Sequence, residues 1–152
     1  MFIFALGLRF VVLSRFAASP HFLPDSDDMR FYNDWALRIV GGQFTDYQAF
    51  YGLPGYAFCL AGIYTVGGFN PYLVGLIQIF CDALTAVVVF KIATLLFSRG
   101  IAIQRANFIG VMAAAGWTLY QPAQTFSVIL MPTSGLVCAY WACVWWVARK
   151  RS

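Results

Sequence analysis

Glutamate is absent from this sequence, histidine occurs once, and only 11% of the residues carry charge. An ordinary globular domain is about a quarter charged and about half apolar, whereas the apolar share here is 61%. A chain of 152 residues buries a smaller fraction of its surface than a large domain does. So much apolar surface leaves no room for an ordinary soluble body, and lipid is the solvent that removes the difficulty. The lone His21 cannot build a metal site. Cys59, Cys81, Cys138 and Cys143 each sit singly in apolar runs, without the paired spacings of a zinc site, and read as free thiols packed like small hydrophobes. No basic stripe lies on a polar face, which excludes nucleic acid as a partner. No internal repeat is visible, which argues against a transporter half.

What is present is organised by charge. The net charge is +4, and all six acids are Asp. Five of them, Asp25, Asp27, Asp28, Asp34 and Asp46, fall in one segment, while later basic residues gather at Arg99–Arg105 and at Arg149, Lys150 and Arg151. Aromatics reach 18%, with Trp and Tyr near the ends of apolar stretches, as suits side chains at a membrane–water interface. The run Tyr140, Trp141, Trp145, Trp146 just before the last basic cluster reads as such an anchor, and Lys91 as a snorkelling side chain.

The expected fold class is all-α integral membrane, with about four transmembrane helices and two interfacial helices in the first outer loop. A bilayer core of about 30 Å needs roughly 20 residues of helix. Residues 1–16 form a first span, truncated or tilted, interrupted by Arg9. A signal peptide fits poorly, because no basic region precedes the apolar run. Residues 17–70 form the outer loop. Within it, Met29, Tyr32, Trp35, Ala36, Ile39 and Val40 recur at helical spacing over 28–40. Ser26 or Asp27 can cap the start, and Gly41-Gly42 ends it. Such a helix lies in the interface. A second interfacial helix covers 53–68, too short and too interrupted by Pro and Gly to cross. Further spans follow over 71–97, 101–121 and 126–148, with Pro132 kinking the last or marking its true start.

Charge chooses this parity. With 53–68 lying in the interface, both basic stretches and the C-terminus fall on the cytoplasmic side, and the Asp-rich loop falls outside the plasma (inner) membrane, as the positive-inside rule requires. Asp82 lies roughly 15 Å into its span, where an ionisable group is a functional candidate by default. It is otherwise a protonated acid, or one hydrogen-bonded to a neighbouring helix near Gln78 or Arg9. The small residues Ala113, Ala114, Ala115 and Gly116 would allow close helix contact.

The chemistry concentrates in residues 24–56, PDSDDMRFYNDWALRIVGGQFTDYQAFYGLPGY. A carboxylate beside the apolar entry to a bilayer can act as general base on an acceptor hydroxyl or amine. Equally, Asp27 and Asp28 can simply favour a helix N-terminus. In its pattern of Asp28, Tyr32 and Ala36, then Gly41-Gly42, then Leu53-Pro54-Gly55-Tyr56, this segment resembles the first outer loop of GT-C glycosyltransferases, in the branch of protein mannosyltransferases and lipid A aminoarabinose transferases. The resemblance continues through a span that ends in a basic cytoplasmic loop, here Lys91–Arg105, and covers nearly the whole chain.

That resemblance implies a sugar donor carried on polyprenyl phosphate and a loop acid that activates the acceptor for inverting attack at the anomeric carbon. Asp28 is then the catalytic candidate, with Asp27 and Asp25 as alternates, and Arg30, Arg38 and Tyr32 are the substrate-binding candidates. Guanidinium groups match phosphate geometry, although surface arginines more often face solvent or headgroups. Where the family commonly has Glu after its loop Asp, Met29 stands here. No acid occurs over Phe126–Ser134, so a divalent metal is not supported and no cofactor is implied. The implied partners are membrane lipid and the lipid-linked sugar. Because the family carries many more spans, a chain of this length is expected to be an N-terminal portion and inactive alone. The alternative is a small non-catalytic membrane subunit of a larger complex.

Overall fold

The computed structural model describes residues 1–25, 27–45 and 52–150. Ser26, one of the two cap candidates, and Asp46 lie outside the described residues. Among the described residues the fold is all-helical, with no strand. Its helices are α1 (Phe2–Ala17), α2 (Asp27–Val40), α3 (Pro54–Gly67), α4 (Pro71–Phe97), α5 (Ile103–Leu119), α6 (Gln121–Phe126) and α7 (Thr133–Lys150), with a 3-10 turn at Pro20–Phe22.

The longest helix is also the central one. α4 opens where the Asn70 side chain accepts the Leu73 N–H at 3.2 Å and Pro71 occupies the first helical position, where its missing N–H costs nothing. Its 27 residues span about 40 Å. Among the described residues α4 is the one helix long and apolar enough to cross a membrane. α1, α5 and α7, at 16, 17 and 18 residues, all pack on α4.

Cross-helix contacts give the directions. Phe2 meets Phe80, and Arg9 meets Asp82, while Leu13 lies against Gly75, so α1 runs antiparallel to α4. A Cβ on Gly110 would strike Thr94 and lie 2.9 Å from Phe90 Cδ2, while Trp117 bonds Asp82, so α5 also runs antiparallel. Gln78 bonds the Met131 carbonyl, and Lys91 stands 4.7 Å from the Trp145 ring centre, so α7 runs parallel. The directions therefore alternate along the chain. One end of the bundle collects Arg99, Arg105, Arg149 and Lys150. The opposite end carries α2 and α3.

The α5 seam differs from expectation in its residues. Its buried stripe is Ala106, Gly110, Ala114 and Thr118, spaced four apart, so of the four small residues at 113–116 only Ala114 belongs to it. A helical row recurs every three to four residues, and a run of consecutive small residues spreads round the helix. The segment expected over 126–148 is also divided, with residues 127–132 non-helical between α6 and α7. Pro132 has no N–H to donate and bars the α conformation before it, so α7 begins directly after it.

α2 and α3 form a second packing unit. Each buries residues in the same helical order: Tyr32, Trp35, Ala36 and Ile39 on α2, and Ala57, Leu60, Ala61 and Tyr64 on α3. Spacing of three, four and seven makes one apolar stripe, and the two stripes face each other, with Val74 and Leu130 completing the cluster. Gly42, at φ +89°, closes α2 in the left-handed region that glycine enters without penalty.

Large apolar side chains cover much of the outer surface. Ile3 and Phe4 on α1, Phe80 and Leu96 on α4, Phe108 and Met112 on α5, and Leu136 and Tyr140 on α7 are all exposed. Monomeric soluble proteins rarely expose apolar patches of that extent.

Candidate functional site

Because α2 turns its stripe onto α3, its charges are displayed on the remaining faces. Asp25, Asp27 and Asp28 are all exposed. Asp27, the first residue of α2, has φ +50°, a left-handed conformation that aspartate adopts more readily than most residues. Asp28 follows within the first turn, where the partial positive charge of the helix N-terminus favours an anion. Asp25 sits just before, its backbone N–H on the Leu23 carbonyl. The three acids thus form an exposed edge at the α2 N-terminus.

The expected substrate-binding residues separate into different environments. Arg30 lies 3.6 Å from Asp34 one turn on, and both side chains are more than half exposed. Arg38 is exposed in the last turn, where a cation suits the helix C-terminus. Tyr32 is buried: its hydroxyl accepts the Leu53 N–H at 3.2 Å, and its ring packs edge-on against Tyr56. It therefore joins α2 to the start of α3 and does not share the exposed edge with Asp28.

The polar joints behind that edge carried no motif. The Tyr64 hydroxyl donates to Asn33 Oδ1 at 3.0 Å, both residues being buried. Gln78 donates to the Met131 carbonyl at 2.6 Å and stands 3.5 Å from the Tyr56 hydroxyl. Burial pushes the Tyr64 phenol up to about 12, and it raises that of Tyr56 as well, helped by Tyr64 and Tyr32 nearby. Both phenols therefore stay protonated at neutral pH and act as hydrogen-bonding groups, not bases. Among the described residues no three His, Cys, Asp or Glu side chains are grouped so as to hold a metal ion.

A second charged site lies within the bundle. Arg9 is fully buried, and its Nε donates to Asp82 Oδ2 at 2.6 Å. Its Nη1 donates to the Thr118 carbonyl at 2.6 Å and its Nη2 to the Trp117 carbonyl at 3.3 Å. Those carbonyls belong to the end of α5. In a continuing helix the Thr118 carbonyl would accept the N–H of residue 122, but Pro122 has none. Arg9 and Gln124 Nε2, at 3.1 Å, take its place. The Trp117 indole donates to Asp82 Oδ1 at 3.2 Å, so both carboxylate oxygens are engaged. Of the possible neighbours of Asp82, Arg9 is the one that binds it, while Gln78 turns to Met131. The guanidinium fork suits this task, since it presents five donors in fixed directions.

At the basic end the ring of Trp145 has the Lys91 ammonium 4.7 Å and the Arg149 guanidinium 5.7 Å from its centre, and Lys150 stands 3.8 Å from that of Trp146. These are cation–π distances. All four cysteines are free thiols. No protein-family model, no curated protein and no solved structure matches this chain.

Proposed function

We propose that this chain is an integral membrane protein with four spans and that it forms the N-terminal part of a GT-C-type glycosyltransferase. On this reading α4 crosses the bilayer outright, α1, α5 and α7, at 16, 17 and 18 residues, cross packed against it where the bilayer thins to match them, and α2 and α3 lie at its outer face. Three features support the membrane assignment: the alternating helix directions, the exposed apolar side chains on every one of those four helices, and the concentration of basic residues at the end remote from α2. The buried Arg9–Asp82 pair also fits, because charges inside a bilayer pair with one another and face the bundle interior.

The observation that carries the transferase reading is the α2–α3 pair. It is held at one end of the bundle by its apolar stripes, which leaves Asp25, Asp27 and Asp28 exposed at the edge. A lipid-linked sugar with its chain in the bilayer would present its head at that height. In the proposed reaction Asp28 takes the proton from an acceptor hydroxyl or amine. The acceptor atom then bonds to the anomeric carbon, and the bond from that carbon to the phosphate oxygen breaks, inverting the centre. Arg30 and Arg38 stand on the same helix and would meet the phosphate, Arg30 by leaving Asp34.

The test is Asp28→Asn in membranes of cells expressing the whole reading frame that encodes this chain. Transfer of labelled sugar from polyprenyl-phosphate donors should fall by about 10²–10⁴-fold, the usual worth of a general base, at unchanged protein level. Near-normal transfer removes Asp28 from the mechanism. If no lipid-linked sugar supports transfer even by the unaltered protein, the non-catalytic subunit becomes the better reading.

A further inference from the structure

A groove of about 460 Å³ runs between α4, α5 and α7, lined by Val89, Ile92, Ala93, Ala113, Gly116 and Trp141 among others. No charged side chain lines it. Its size lies within the range of small-molecule sites, roughly 300–1,000 Å³, and its walls suit a hydrocarbon chain. Trp117 and Tyr120 line this groove and also a second cavity of about 230 Å³. The second cavity ends differently. Its walls include Asp82 and Ser134.

Ser134 is 5% exposed, and its hydroxyl is buried without a hydrogen-bond partner. Buried polar groups without partners are rare and costly, and each calls for an explanation such as a ligand. Beside it, Asp82 Oδ1 accepts only the Trp117 N–H among the bonds present, and a carboxylate oxygen can accept a second. The charge balance of the cavity is also defined. Arg9 does not line it; the guanidinium is spent on Asp82 and the α5 carbonyls. An anionic head would therefore meet the carboxylate face and find no cation, whereas an uncharged hydroxyl could donate to Asp82 and bond Ser134.

We propose that these two cavities together bind a single-chain amphiphile with an uncharged hydroxyl head, of the long-chain alcohol class. The chain lies in the groove, and the hydroxyl reaches past Trp117 and Tyr120 to Ser134 and Asp82. This rests on the membrane half of the preceding reading and is independent of sugar transfer.

The probe is a sixteen-carbon alcohol with a mid-chain diazirine, photolysed with the protein in phosphatidylcholine nanodiscs. Adducts should concentrate on 113–120 and Trp141, and hexadecanol should compete while hexadecyl phosphate does not. A Cβ added at Gly116 meets no atom within 4 Å, so Gly116→Leu fills the groove without a backbone clash and should remove at least about nine-tenths of the adduct. Ser134→Ala should weaken competition by hexadecanol about tenfold and leave competition by hexadecane unchanged, a difference that a general loss of folding would not produce. Equal competition by hexadecyl phosphate, or adducts spread evenly over the apolar helices and indifferent to Gly116→Leu, would overturn the proposal. Carbonate extraction separates the two readings. A chain released from membranes sinks both, and a retained chain with no saturable adduct sinks this one alone.

Discussion

Asp28 and Asp82 are the same residue on two helices of one molecule, and their surroundings are opposite. Asp28 is exposed on α2, whose apolar stripe is already committed to α3. Asp82 is 3% exposed on α4, with Arg9 2.6 Å away and the Trp117 indole at 3.2 Å. The difference follows from the helices. α2 has a polar side to which a charge can be sent, whereas α4 is apolar round most of its length and contacts α1, α3, α5 and α7, so an acid at its middle must find its counter-charge inside the bundle. An aspartate in this protein reaches open solvent only where its helix keeps a wet face.

That contrast can be broken most sharply by substituting the two acids in parallel. Asp28→Asn should lower transfer by the factor given above and cost less than about 1 kcal/mol of stability, the worth of an anion at a helix N-terminus. Asp82→Ala should do the reverse in kind: it leaves the Arg9 charge buried and unpaired, which costs about 3–5 kcal/mol when one partner of a buried pair is removed. The double variant Arg9→Met with Asp82→Leu should recover most of that loss, read as the midpoint of detergent-induced unfolding. If the double variant is as unstable as the single one, the pair is not the source of the cost.

Packing sits next in size. Gly110→Ala drives a methyl into Thr94 and Phe90 and should cost about 1–3 kcal/mol, the usual penalty for overpacking. Gly116→Ala, in open space near the end of the same helix, should cost nothing and sharpens the comparison between the two faces of α5.

Within the α2–α3 pair, Tyr64→Phe removes the donor to Asn33 and should cost about 1 kcal/mol. It should also alter the alkaline limb. The Tyr64 phenol is raised to about 12 from an ordinary 10.0, so its protonated form is favoured by folding. That contribution is full below pH 10 and is lost as pH climbs toward 12, where the unfolded chain ionises first. The variant should therefore lose less stability across that window. The smallest effect belongs to Arg30→Ala, which breaks an exposed pair one turn long and should cost no more than about 0.5 kcal/mol.

Much of the local structure was legible in the residues. Pro71 marks the start of α4 and Gly42 the end of α2, and of the two roles open to Pro132 in the sequence the fold shows the start of α7, because caps and breakers act within a turn of themselves. The stripe on α2 was legible for the same reason. The Tyr64–Asn33 bond, the unpartnered Ser134 hydroxyl and the ties from Arg9 to the end of α5 were not, since tyrosine, asparagine and serine in apolar runs carry no spacing that names a partner. Arg9 came nearest, as a charge in an apolar run that had to be neutralised somewhere.

The sequence alone thus determined an all-helical chain, the bounds of α2 and α4 to within a residue, and the apolar stripe of α2, but not the break between α6 and α7. These are matters of short-range periodicity and of prolines and glycines that restrict their own neighbours. Tertiary structure alone decided that Arg9 serves both Asp82, 73 positions away, and the Thr118 carbonyl, 109 positions away. It also decided that small residues four apart, not adjacent, form the α5 seam. Such pairings depend on how helices cross in three dimensions, and no local pattern records that.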